Sequence, residues 1–133
     1  MFNATKTLGA EWNIEILEMH HKHKIDAPSG TALMLGKSVA DARDQVLSDI
    51  KTAPRDGIVG KRKSEEIGFS VLRGGDVVGE HSVLFCNDGE RIELVHKATD
   101  RSIFAMGALR ASYWATKAEP GLYSLSDVLK LGG

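Results

Sequence analysis

A chain of 133 residues, 42% hydrophobic and 26% charged, is long enough for one globular domain with a core of its own. Seventeen basic side chains against eighteen acidic ones leave a net charge of −1, with no broad cationic field for nucleic acid and no polybasic membrane patch. No apolar run reaches the ~20 residues of a membrane-spanning helix, no secretory leader precedes the first strand, and a single cysteine permits no internal disulfide, so a cytoplasmic setting is expected.

In chain order, residues 1–11 read as the remnant of a linker or helix, with Phe2, Ala4 and Leu8 as packing residues. Trp12 to Met19 alternates apolar and polar side chains, the period of a half-buried strand. His20 to Ala27 is too charged for a core strand and reads as a strand-end loop. Ser29 is a helix N-cap, and Ala32, Leu35, Gly36, Val39 and Ala40 recur at helical spacing, predicting a helix from about Gly30 to Val46. Residues 48–66 are polar and glycine-bearing, a mobile surface loop in which Arg55 and Arg62 are solvated or interface residues.

Three strands follow, at 68–72, 77–85 and 91–98, read as an antiparallel meander. Gly74-Gly75 turns the backbone between the first two, and Asp88-Gly89 is a hairpin signal between the last two. Cys86 is read as a small core residue, and His81 and His96 as satisfied structural histidines. A second helix is predicted over 103–117, with Phe104, Ala108, Ala111 and Ala115 on one side, and a short one over 124–131. The sum is an α+β fold: a mixed or antiparallel sheet of about four strands packed on helices. The expected division is 12–100 as a substrate-binding and oligomerisation domain and 101–133 as a C-terminal helical segment. There is no repeat and no low-complexity stretch.

The chemistry is concentrated between Glu18 and Thr31. His20, His21, His23, Lys22 and Lys24 crowd together just before a helix start, whose free backbone amides and dipole favour a carboxylate or phosphate. Gly30 allows close approach, the Thr31 hydroxyl adds a donor, and Lys24 supplies a full charge. Histidine beside such a site is the natural proton-transfer group. The His-His-x-His run also invites a zinc reading. Adjacent strand residues point to opposite faces, however, and Lys24 would repel a cation, so no metal is expected.

The run from His20 to Ala32, His-His-Lys-His-Lys-Ile-Asp-Ala-Pro-Ser-Gly-Thr-Ala, closely resembles the signature of the 4-hydroxy-tetrahydrodipicolinate reductases, also called dihydrodipicolinate reductases, of the diaminopimelate route to lysine. The resemblance continues through Arg55-x-Gly57-x-x-Gly60-x-Arg62, Ile67-Gly68-Phe69, Arg73-Gly74-Gly75, Gly79-Glu80-His81, Gly89-Glu90-Arg91-Ile92-Glu93, His96-Lys97-Ala98 and Arg101-x-x-Phe104-Ala105-x-Gly107-Ala108.

That resemblance implies reduction of an unsaturated cyclic dicarboxylate with hydride from NADPH or NADH. Carried over position by position, His20 matches the family's proton donor/acceptor and Lys24 its proton donor, while His21, Gly30 and Thr31 match substrate-binding positions. It also implies a tetramer built through the substrate domains. The family's glycine-rich nucleotide-binding turn does not occur in this sequence, so the N-terminal Rossmann domain is expected to be lacking and the chain alone is expected not to turn over. The segment from Arg101, associated in the family with that domain, is then expected to expose an apolar face. The alternative is a non-catalytic anion-binding or assembly module that keeps the pocket without the reaction.

Overall fold

The computed structural model describes residues 1–130 and divides the chain into two compact units, Met1–Thr99 and Asp100–Gly133. In the first, helix α1 (Phe2–Leu8) precedes strand β1 (Asn13–His20), helix α2 (Gly30–Ala42) and the single turn α3 (Leu47–Ile50). Strands β2 (Ile67–Arg73), β3 (Gly79–Asn87) and β4 (Glu90–Ala98) complete a four-stranded sheet. The fold is α+β, a mixed sheet with helices, as expected.

The sheet order is β2-β1-β3-β4, with β1 parallel to β2 and antiparallel to β3, and β3 antiparallel to β4. The expected three-strand meander is therefore corrected: β1 is inserted between β2 and β3. The Gly74 amide donates to the His20 carbonyl and the Lys22 amide to the Gly75 carbonyl, so the glycine pair ties β2 to the end of β1 rather than folding it back onto β3. Between β3 and β4, Gly89 has φ +81°, a left-handed conformation that glycine adopts without steric cost.

Alternation along the strands builds the core. Trp12, just ahead of β1, Ile14 and Ile16 of β1, Ile67 of β2 and Val83 and Phe85 of β3 are buried together with Ala32, Val39 and Ala40 of α2. Met1, Ala4 and Leu8 pack against the same cluster, which places the segment expected as a remnant on this core, while Phe2, expected to pack with them, is exposed. Helix α2 comes so close to the sheet at Gly36 that a Cβ there would lie 2.6 Å from Phe69 Cζ, which explains a glycine in a helix interior.

Helix α2 ends earlier than the spacing predicts, because Asp44 adopts φ +55° and the chain restarts at α3. Cys86 is corrected too: its neighbour Phe85 takes the core face, so Cys86 lies half-buried on the opposite one.

The 51–66 loop is exposed but anchored. Arg55 donates to both Glu15 carboxylate oxygens at 2.8 Å and to Glu66 at 2.8 Å. Arg62 donates to Glu15, to Asn13 and to the carbonyls of Ile14 and Glu66. Both arginines are thus ion-paired across β1, not free in solvent.

In the second unit, α4 (Ser102–Ala115) buries none of its residues; Phe104 is exposed, as are Ala108 and Ala115. The last helix, α5 (Leu125–Leu129), opens with a reciprocal capping box between Ser124 and Asp127. Leu131, in the predicted 124–131 helix, lies outside the described residues.

Candidate functional site

The phase that buries Ile14 and Ile16 continues to Glu18, which therefore enters the interior although it is ionisable. Its side chain is 1% exposed, and a carboxylate there must be fully partnered. It is. Arg73, at the end of the neighbouring strand β2, donates to Glu18 Oε2 at 2.8 Å and to Oε1 at 2.9 Å. His20 Nδ1 lies 2.6 Å from Oε2, and the Ser29 amide donates to Oε1 at 2.9 Å.

Ser29 connects this acid to the helix start. Its hydroxyl accepts from the Ala32 amide at 3.1 Å, the expected cap, and shares a hydrogen bond of 2.9 Å with His81 Nε2. The first intrahelical bond runs from the Leu33 amide to the Ser29 carbonyl, so the Gly30 and Thr31 amides stand ahead of it. A Cβ at Gly30 would meet nothing within 4 Å, and Thr31 is exposed, so this end of α2 is open to a ligand.

The structure brings some of the expected residues together and separates others. His20, Gly30 and Thr31 share one corner, joined through Glu18 and Ser29. Lys24 reaches it indirectly: its ammonium donates to Asp26 at 2.7 Å, and the Asp26 carbonyl accepts from Arg73 at 2.7 Å. His21 lies beyond the strand end, beside His23, over a hollow of about 500 Å³ lined also by Lys22, Gly75 and Asp76. No hydrogen bond joins Lys24 or His21 to Thr31 among the described residues.

Glu18, Arg73, Ser29 and His81 are functional candidates that motif reasoning passed over. His81 is buried and packs edge-on against His20, with ring centroids 5.1 Å apart. His96, opposite it on β4, is exposed rather than structurally satisfied. Clefts of about 440 and 600 Å³ lie along the 49–66 loop, but their arginines are already neutralised by Glu15 and Glu66. The chemistry favours the histidine corner.

Burial pushes the Glu18 carboxyl up, but Arg73, His20 and the Ser29 amide outweigh it and hold it below the usual carboxylate range. Burial, with the nearby His20 adding to it, pushes the His81 imidazole down from its ordinary 6.5. Both shifts leave the folded pKa below the unfolded one, so the unfolded chain binds more protons and acid destabilises the fold. The His81 contribution is present above pH 6.5 and is lost as pH falls through its lowered folded value; that of Glu18 follows below 4.5. Urea midpoints should therefore decrease from about pH 7 to about pH 5, less steeply in His81→Gln; a wild-type profile flat over that range refutes the reading.

A buried acid–imidazole pair and an open helix start thus lie together on the mixed four-stranded sheet of an α+β domain. The chain belongs to the dihydrodipicolinate reductase family, matching its C-terminal part, described as "Dihydrodipicolinate reductase, C-terminus", over residues 1–129. It is 56% identical over 126 residues to the 4-hydroxy-tetrahydrodipicolinate reductase of Parvibaculum lavamentivorans, covering 95% of this chain and 46% of that protein. It is 57% identical over 122 residues to the enzyme of the same name from Rhizobium rhizogenes, covering 92% and 44%. The chain thus spans about half the length of the curated relatives it matches. A dipicolinate-bound dihydrodipicolinate reductase from Paenisporosarcina sp. TG-14 shares the fold, with a TM-score of 0.69 at 24% identity over 95% of this chain and 48% of that one.

The connection between β1 and α2 does not fit a dinucleotide. Strand β1 reaches α2 through the loop 21–29, which contains no glycine, so no glycine-rich turn offers its amides to a pyrophosphate.

Proposed function

We propose that this chain is the substrate side of a 4-hydroxy-tetrahydrodipicolinate reductase, a cytoplasmic enzyme that reduces a cyclic dicarboxylate in lysine biosynthesis. The hydride comes from NADPH or NADH. The observation that carries this reading is the single link from His20 through Glu18 to Ser29, which sets a proton-transfer group beside an open helix start. The Gly30 and Thr31 amides, with the Thr31 hydroxyl, hold one ring carboxylate. The Lys24 ammonium leaves Asp26 to meet the developing negative charge and donates the one proton that accompanies the hydride, His21 contacts the ring from the strand end, and His20, as acceptor and donor, passes that proton to the carbon next to the reduced one.

The open sheet face is the proposed surface for assembly into a tetramer. Alternation places Leu17, Met19, Leu72, Leu84 and Val95 there, and Leu72 and Val95 are about half exposed.

Titrating pyridine-2,6-dicarboxylate, a planar mimic of the substrate, into the chain by calorimetry tests the pocket. Saturable binding is expected, reduced by about tenfold or more in Lys24→Ala and in Thr31→Val. Absence of binding by the wild type, or equal binding by both variants, removes the proposal. Light scattering on the same samples should show a species larger than a monomer, and a monomer at high concentration would defeat the assembly surface.

A further inference from the structure

Glu18 sits where the two halves of the proposed pocket meet. One oxygen faces the His20 ring at 2.6 Å, the other takes the Ser29 amide at 2.9 Å, and Arg73 closes on both. Four donors saturate the acceptor capacity of an ionised carboxylate. At 1% exposure it meets no solute, so its effect passes through the groups it holds.

We propose that Glu18 is a positioning residue for proton transfer at His20, fixing the imidazole with its hydrogen on Nδ1 so that only Nε2 exchanges a proton. This deepens the reductase reading and rests on it. An ionised carboxylate only accepts, so the ring nitrogen facing it must carry the hydrogen in either charge state of the imidazole. The opposite nitrogen, Nε2, is left without a side chain against it from the neighbouring strand. Nε2 faces Gly79 of β3, where a Cβ would stand 3.1 Å from it, so any side chain there would crowd the exchanging atom. The same carboxylate, through the Ser29 amide, holds the turn that presents Gly30 and Thr31. Proton donor and anion cradle are thus set from one buried group, and Arg73 keeps that group charged.

The imidazole nitrogens of the chain report this directly. In long-range proton–nitrogen correlation spectra at about pH 8.5, where an ordinary imidazole is neutral, His20 should show hydrogen on Nδ1 and a bare Nε2. In Glu18→Gln the carboxamide still accepts from the Ser29 amide, but its NH₂ now faces the ring, so the hydrogen should move to Nε2. A wild-type His20 carrying its hydrogen on Nε2 overturns the proposal whether or not the variant folds, and so does an unchanged tautomer in a folded Glu18→Gln. If the tautomers behave as expected but the wild type does not bind the dicarboxylate, the pocket reading fails and takes the positioning role with it. Binding intact with the tautomer wrong overturns the positioning role alone.

Discussion

Arg73→Ala should destabilise the first unit by about 3 kcal/mol, lowering its thermal midpoint by roughly 15 °C. The substitution removes two hydrogen bonds and, among the described residues, the only full positive charge that touches a carboxylate 1% exposed to solvent. What remains around Glu18 is one imidazole and one amide, too little to offset burial, which already pushes this carboxyl up. The acid therefore becomes easier to protonate, and the loss of stability on acidification should begin at higher pH in the variant than in the wild type. Arg73→Lys keeps a charge but not the two-pronged geometry, and should recover only part of the loss. Arg73 also holds the Asp26 carbonyl, so the Lys24 segment loosens with it and affinity for pyridine-2,6-dicarboxylate should fall in the fraction that stays folded. A cost below about 1 kcal/mol in urea unfolding would mean that water replaces the guanidinium, and the buried pair would then not be the organising feature of this corner.

Much of this arrangement is local and could be read in advance. Alternation from Trp12 to Ile16 sets the face of β1, Ser29 announces its helix, and Asp88-Gly89 marks its hairpin. The same alternation carried two residues further puts Glu18 inside, a signal that was present and outweighed by the expectation that charges lie at the surface. Its partner is 55 residues away, and nothing near Arg73 says which acid it will meet. The place of β2 was hidden for a related reason. A short glycine-bearing connection to β3 looks like a hairpin, and only the hydrogen bonds from Gly74 and Lys22 reveal that β2 lies along β1 instead. Arg55 and Arg62 looked like solvated loop charges because the acid that captures both, Glu15, is some 40 residues earlier, on a strand. Long-range pairing, not local preference, decides these points.

Phe85→Ala should cost about 3–4 kcal/mol, while Ile92→Ala, directly across the ladder and on the same face, should cost less than about 1 kcal/mol. Both side chains point toward the helix layer, but the core ends between them. Phe85 is 0% exposed, opposite Ile14 and among the residues that α2 covers, whereas Ile92 is 40% exposed on the edge strand β4. Truncating Phe85 leaves a cavity that its neighbours can fill only in part; truncating Ile92 removes surface that water already reaches. Equal costs in urea unfolding would show that β4 is covered on this face. The distance along the ladder also separates stability from binding. Glu18 pairs with His81 two core layers beyond the Ile14–Phe85 pair, with Ile16 and Val83 between, and those layers are untouched. The folded fraction of Phe85→Ala should therefore hold pyridine-2,6-dicarboxylate as tightly as the wild type, in contrast to Arg73→Ala, where the damage falls on the network that shapes the site.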